Sequence, residues 1–211
     1  MPHDLRGDPT HTDTLTVIMK RICVFTGSNP GVRPAYRTAA AALGALLAER
    51  SIELVYGGAR VGLMGVIADA TMAAGGTAIG VIPESLLAKE VAHEELDELF
   101  VVGSMHERKA LMEELSDGFI AMPGGVGTFE ETFEILTWGV LGIHEKPIGL
   151  LDVEGYYASL VEFIAHSVRE GFFHEQHAAM LLRSTNPAEL LEAFEHYRPP
   201  VVQKWIELEE S

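Results

Sequence analysis

The sequence predicts a doubly wound α/β fold, a mostly parallel sheet flanked by helices on both faces. Three observations carry that expectation. Short runs rich in Val and Ile alternate with longer stretches of helical period, the runs are apolar throughout, and the connections between them are short.

Taken in order, residues 1–19 mix His, Asp, Thr and Pro without any period and are expected to form a flexible leader. A first strand is predicted at 21–26 (RICVFT) and a helix at 34–50. Further strands follow at 52–56 (IELVY), 77–82 (TAIGVI), 99–102, 118–122 (GFIAM) and 147–151. Helices are predicted at 65–74, 105–115, 129–141, 156–169 and 187–197. No repeat or linker interrupts the pattern, so a single domain is expected over 20–200, with an acidic tail at 201–211.

Composition narrows the function classes. The 211 residues include 15 Lys and Arg against 31 Asp and Glu, a formal charge of −16. Such a surface repels a nucleic-acid backbone, and no basic stripe offsets it. At 47% apolar the chain can build a sizeable core, yet no run reaches the ~20 residues of a membrane helix. The polar N-terminus is not a signal peptide. A lone Cys23 forms no intrachain disulfide, and no Cys/His cluster has zinc spacing. A cytoplasmic protein without nucleic-acid or membrane partners is expected.

Glycine placement points to a ligand. Three strand-to-helix junctions are glycine-rich: Gly27-Ser28-Asn29-Pro30-Gly31, Gly57-Gly58, and Pro123-Gly124-Gly125-Val126-Gly127-Thr128. All follow strands of a parallel sheet, so they gather at its carboxyl edge, where open α/β sheets bind ligands. Tight βα turns favour glycine in any case. Three together favour a phosphate site, in which backbone N–H groups approach an anion at a helix N-terminus. Neither G-x-G-x-x-G nor G-x-x-x-x-G-K-[ST] occurs, which leaves a mononucleotide or a sugar phosphate.

Two charged residues stand where apolar ones are expected. Arg108 lies in the apolar stripe of Met105, Met112 and Leu115, on a helix opened by the capping box Ser104-Met105-His106-Glu107. It reads either as a structural ion pair or snorkelling side chain, or as a guanidinium awaiting an anion. Lys109, at the border of that face, could add a phosphate contact. Glu131 closes a second apparent capping box, Thr128-Phe129-Glu130-Glu131, and could simply hold the helix start. That helix, however, has two apolar stripes: Phe129, Phe133, Leu136 and Val140, and on the nearly opposite side Glu131, Ile135 and Trp138. Glu131 thus begins an apolar strip, an environment suited to a carboxylate that handles protons. With the first stripe taken to cover the sheet, Ile135 and Trp138 are left for a homodimer contact or a further layer.

With these residues assembled, the chain resembles the Lonely Guy family of cytokinin riboside 5′-monophosphate phosphoribohydrolases. The motif P-G-G-x-G-T-x-x-E is met in full from Pro123 to Glu131. Met105-His106-Glu107-Arg108-Lys109, Val55-Tyr56-Gly57-Gly58, Val61-Gly62-Leu63-Met64-Gly65 and Gly155-Tyr156-Tyr157 also match. The resemblance implies a Rossmann-like, dimeric enzyme needing no metal or organic cofactor. It would hydrolyse the N-glycosidic bond of AMP or an N6-modified AMP to free base and ribose 5-phosphate. It implies Arg108 and Glu131 as the catalytic pair, and Lys109, Gly124, Gly125, Val126, Gly127, Thr128, Phe129 and Glu130 at the nucleotide site. Glu90 and Thr137 match further substrate contacts, and the other two glycine junctions add Ser28, Gly57 and Gly58. Taken alone, Glu90 is one acid within KEVAHEELDEL. Thr26, Ala59, Val140 and Asp152 depart from the usual pattern.

Two rival readings remain at this level. Lysine decarboxylation needs a pyridoxal phosphate lysine, and of Lys20, Lys89, Lys109, Lys146 and Lys204 only Lys109 is expected near the site. A non-catalytic nucleotide sensor or carrier of the same fold would not need Arg108 and Glu131. The stretch His174-Glu175-Gln176-His177 lacks the spacing of a metal-binding H-E-x-x-H.

Overall fold

The computed structural model describes residues 18–87, 92–93 and 95–200. Seven strands alternate with helices: β1 (Arg21–Phe25), α1 (Pro34–Glu49), β2 (Glu53–Tyr56), α2 (Gly62–Ala73), β3 (Ala78–Pro83), α3 (Glu84–Leu87), β4 (Glu98–Val102), α4 (Met105–Leu115), β5 (Gly118–Ala121), α5 (Val126–Leu141), β6 (Ile148–Leu151), α6 (Ala158–Arg169), α7 (Glu175–Ala178), β7 (Leu181–Ser184) and α8 (Pro187–Glu195). They form one sheet in the order β4-β3-β2-β1-β5-β6-β7, with every pairing parallel. The doubly wound expectation is met.

The strand order positions the site. From β1 the chain winds outward through β2, β3 and β4, then returns to β5 and winds outward on the other side. The connections leaving β1 and β5 therefore diverge, opening a crevice at the carboxyl edge of the sheet. The glycine junctions after β1 and β5 flank that crevice.

Successive strand residues point to opposite faces, and both are buried. On one face Ile22, Val24, Leu54 and Ile120 pack against Leu43 and Leu47 of α1, Ile67 of α2 and Phe194 of α8. On the other, Cys23, Phe25, Val55, Ile79 and Phe119 meet Met112 of α4 and Ile135 and Leu136 of α5, while Leu160 and Val161 of α6 cover Ala121 and Leu150. Each Val, Leu, Ile, Phe or Met side chain so enclosed contributes ~1.5–3 kcal/mol of apolar burial. Burial pushes the Cys23 thiol well above its ordinary pKa, and the charge of Glu131 adds to the shift.

Several expectations are adjusted. β4 is an edge strand on which Leu99 and Val101 are partly open to solvent, so its apolar run is not covered on both faces. β7 is an additional edge strand; its four residues, LLRS, are too short and too mixed to signal one. Met19, assigned to the leader, packs into the core. The remaining leader residues 1–17 and the tail 201–211 lie outside the described residues. Among the described residues no helix is long and apolar enough to cross a membrane, and no group of three or more His, Cys, Asp or Glu side chains could hold a metal ion. In HEQH, His174 instead caps α7, its Nδ1 accepting from the Gln176 amide at 3.3 Å.

Candidate active site

Three loops are tied together at the crevice. The Gly27 amide donates to the Pro123 carbonyl at 3.2 Å, and the Leu63 amide donates to the Gly27 carbonyl at 2.9 Å. Thr26, one of the departures from the family pattern, adds a second donor: its hydroxyl reaches the Pro123 carbonyl at 3.1 Å. Gly62, with φ +59°, presses so closely on the Ser28 backbone that any Cβ there would collide with it.

α5 begins earlier than its apparent capping box implies. Its N-cap is Gly125, so Thr128 and Glu131 sit inside the helix and do not cap it. With no side chain at the N-cap, no side-chain bond closes the first-turn N–H groups. A Cβ at Gly125 or Gly127 would meet nothing within 4 Å. The protein's own packing therefore does not demand glycine at these positions. The open side is the one an anion would approach.

The buried stripe of α5 is Thr128, Glu131, Thr132, Ile135 and Leu136. Ile135 is 2% exposed against the sheet, which corrects the expected orientation of this helix. The sheet-facing side carries Glu131 and Ile135 of one stripe together with Leu136 of the other, while Phe133, Thr137 and Val140 border an open groove. Both stripes are apolar, and only the position of the neighbouring strands decides which of their residues are covered.

Arg108 and Glu131 converge. Arg108 is 6% exposed and Glu131 9%, with Nη2 of Arg108 3.8 Å from Oε1 of Glu131. The guanidinium is held from the sheet side, Nε donating to the Val81 carbonyl at 3.1 Å and Nη2 to the Gly57 carbonyl at 3.4 Å. Glycine at position 57 leaves room for the guanidinium in this position, since a Cβ would displace Nη2 of Arg108. At 3.8 Å the two charges attract without a direct hydrogen bond.

The pair opens into a hollow of about 290 Å³ lined by Thr26, Gly27, Ser28, Asn29, Met64, Gly125, Val126, Gly127 and Thr128 as well as Arg108 and Glu131. A second hollow of about 260 Å³ shares Gly27, Ser28, Asn29 and Gly125 with it and is walled by Tyr36, Leu63, Gly124 and Tyr156. Asn29, Tyr36, Met64 and Tyr156 were not singled out as site residues from sequence. Asn29, Met64 and Tyr156 lie within the glycine junction and motifs quoted above without being distinguishable there as lining residues, and Tyr36 reaches the hollow from α1, where no local pattern announces it.

Other expected site residues lie elsewhere. Lys109 is buried, but its Nζ is taken by Glu130 at 2.5 Å and Glu134 at 2.8 Å, so it bridges α4 and α5 and does not line either hollow. Glu130 is its partner. Phe129 lies on the partly exposed side of α5, outside both hollows, because the helix turns it away from the sheet. Thr137 donates to the Phe133 carbonyl and borders the apolar groove. Gly58, at φ +74°, packs under Leu99 and Ile82 and stands behind Gly57. Glu90 lies outside the described residues. None of the described lysines lines either hollow, and Lys89 and Lys204 lie outside the described residues. Lys146 is bound to Glu113 at 2.6 Å, and Lys20 precedes β1 at the opposite edge of the sheet. A pyridoxal phosphate lysine has no place among these residues.

Comparison with known proteins agrees with this architecture. A family model described as "Possible lysine decarboxylase" matches residues 64–194. A probable cytokinin riboside 5′-monophosphate phosphoribohydrolase of Oryza sativa subsp. japonica is 49% identical over 181 residues, covering 86% of this chain and 74% of the relative. A cytokinin riboside 5′-monophosphate phosphoribohydrolase of Arabidopsis thaliana is 48% identical over 180 residues, covering 85% and 83%. Among solved structures, protein TM1055 superposes with a TM-score of 0.65 at 21% identity over 85% of this chain and 100% of that one. The molybdenum cofactor binding protein of Rippkaea orientalis gives 0.62 at 22% identity over 84% and 96%. Those two share the fold. By the sequence identity to its plant relatives, spread over most of its length, the chain belongs to the Lonely Guy phosphoribohydrolase family, which the lysine decarboxylase model spans.

Proposed function

We propose that this chain hydrolyses the N-glycosidic bond of adenosine 5′-monophosphates, N6-modified ones such as cytokinin riboside 5′-monophosphate included, to free base and ribose 5-phosphate. The observation that carries this reading is the placement of the Arg108–Glu131 pair, 3.8 Å apart, in the same hollow as the uncapped start of α5. The N–H groups of Gly125, Val126, Gly127 and Thr128 hold the 5′-phosphate, aided by the positive end of a 16-residue helix. That anchorage sets the ribose against Glu131.

As the C1′–N9 bond breaks, positive charge develops on the ribose ring. The Glu131 carboxylate stabilises it and orients an attacking water, accepting the water proton as the new C1′–O bond forms. The departing base carries the bond's electron pair and takes up a proton from solvent, to which Glu131 returns the proton it accepted, so that one water is consumed in all. Arg108 is too basic to donate that proton efficiently, so its part is to contact the phosphate or the leaving base and to fix Glu131.

The test is incubation with AMP and with isopentenyladenosine 5′-monophosphate, following free base and ribose 5-phosphate by chromatography. Release of both products in equal amounts is expected. Absence of release, or release undiminished in Glu131→Ala, overturns the assignment. An absorbance spectrum without an aldimine band is expected alongside.

The partner surface belongs to the same proposal. A groove of about 320 Å³ between α5 and α6 is lined by Phe133, Leu136, Val140, Phe163, Ile164 and Phe172, and Phe163 and Phe172 are largely exposed. We place the homodimer contact here, and the protein in the cytoplasm, where its buried thiol stays reduced. Phe163→Asp is expected to give a monomer in analytical ultracentrifugation; an unchanged dimer moves the contact elsewhere.

A further inference from the structure

The turn between β5 and α5 presents three successive carbonyls, and each meets a protein donor. The Met122 carbonyl accepts from the Tyr157 hydroxyl at 2.6 Å, that of Pro123 from Thr26 and the Gly27 amide, and that of Gly124 from the Tyr156 hydroxyl. The two adjacent tyrosines thus grip two different peptide units, and these units differ in one respect. The Met122–Pro123 peptide has no N–H. The Gly124–Gly125 peptide has one, that of Gly125.

In a trans peptide the C=O and N–H point in opposite directions, and no cis bond occurs among the described residues. A hydroxyl fixed on the Gly124 carbonyl therefore aims the Gly125 N–H away from Tyr156. Tyr156 walls one hollow, whereas Gly125 also borders the other, with Arg108 and Glu131. Flanked by two glycines, this peptide has the least steric resistance to flipping of any in the turn. A flip would turn a carbonyl oxygen where the N–H now stands and set it against a phosphate. Tyr156 is itself held, edge-on, by Tyr36 with ring centroids 5.9 Å apart and by Tyr157 at 5.0 Å. Behind it, buried Asp152 accepts from the Tyr157 amide at 2.7 Å and pairs with Arg183 of β7.

We propose that Tyr156 is a positioning residue for phosphate recognition: its hydroxyl locks the Gly124–Gly125 peptide so that the Gly125 N–H faces the ligand. Tyr157, on a peptide without an N–H, anchors the turn without aiming a donor. This rests on the reading above that the start of α5 holds the substrate's phosphate.

The test compares Tyr156→Phe with Tyr157→Phe, using ribose 5-phosphate as a competitive inhibitor of base release and adenine as a control. Tyr156→Phe is expected to raise the inhibition constant of ribose 5-phosphate, and KM for AMP, about tenfold, as for one hydrogen bond to a charged group. The constant for adenine and the thermal midpoint stay unchanged, and KM rises by a larger factor than kcat falls. Tyr157→Phe is expected to lower the thermal midpoint and leave the ribose 5-phosphate constant unchanged. An unaltered constant in Tyr156→Phe, or equal increases in both variants, overturns the proposal. Failure of the wild-type protein to bind ribose 5-phosphate refutes the phosphate reading itself, a separate outcome.

Discussion

Two helix starts in this molecule carry the same local pattern, a hydroxyl residue followed three positions later by glutamate, and they fold differently. At α4, Ser104 is the N-cap: its Oγ accepts from the Glu107 amide at 3.2 Å, and Glu107 reaches back to the Gly103 amide at 2.8 Å. The helix is closed by its own side chains. At α5 the helix begins earlier, three residues ahead of Thr128, at the glycine N-cap Gly125, which has no side chain. Thr128 is then inside the helix, its side chain packed against Gly124, and Glu131 is carried to the Arg108 guanidinium. A capping pattern satisfied by its own residues is structural. The same pattern displaced into a helix leaves both an open N-terminus and a carboxylate with other work.

The sharpest way to break this comparison is to remove the two glutamates in parallel. Glu131→Ala is expected to lower base release about a thousandfold, within the range of lost proton-transfer groups, and to lower stability as well, because the buried Arg108 loses its counter-charge. Glu107→Ala should leave activity intact and lower stability. Equal effects on activity would mean that the two positions are not distinct. Next in size, Gly125→Asp would make α5 resemble α4 by supplying a cap. The open space at Gly125 accepts a side chain, so KM for the nucleotide is expected to rise at least about tenfold while the thermal midpoint holds or rises, because the new carboxylate occupies the anion's place. A lowered midpoint with unchanged KM would contradict the open-terminus account.

Ser104→Ala is smaller, a loss of about 1 kcal/mol in chemical denaturation with unaltered base release. The smallest effect concerns the far end of α5. Buried His144 donates from Nε2 to the Ile135 carbonyl at 2.9 Å and accepts from the Lys146 amide on Nδ1 at 3.1 Å, a neutral tautomer. Burial lowers its pKa below the ordinary 6.5. Its contribution to stability is therefore complete above that value and is lost as the pH falls below it toward the lowered folded value. Thermal midpoints measured from about pH 7 down to pH 5.5 should fall less steeply in His144→Gln than in the wild type. Parallel curves would show that this imidazole does not titrate with unfolding.

Much of the site was legible because its signals are local. Gly124, Gly125 and Gly127 stand together in the chain, and Arg108 is conspicuous in an apolar stripe. Lys109 was less so: nothing within α4 indicates that Glu130 and Glu134 of α5 would claim its ammonium. Asp152, which departs from the family pattern, is explained only by Arg183 on a strand that sequence did not announce. Tyr156 acts on a carbonyl 32 residues away.

By itself the sequence determined the parallel α/β architecture, since continuous apolar runs and helical periods are properties of neighbouring residues. It likewise determined the gathering of three glycine junctions at one edge of the sheet. Only the tertiary structure decided which residues of α5 face the strands, where that helix begins, and which carboxylates meet Arg108 and Lys109. Those outcomes depend on close contacts between segments far apart in the chain, where shape and charge are matched across elements and no local period records them.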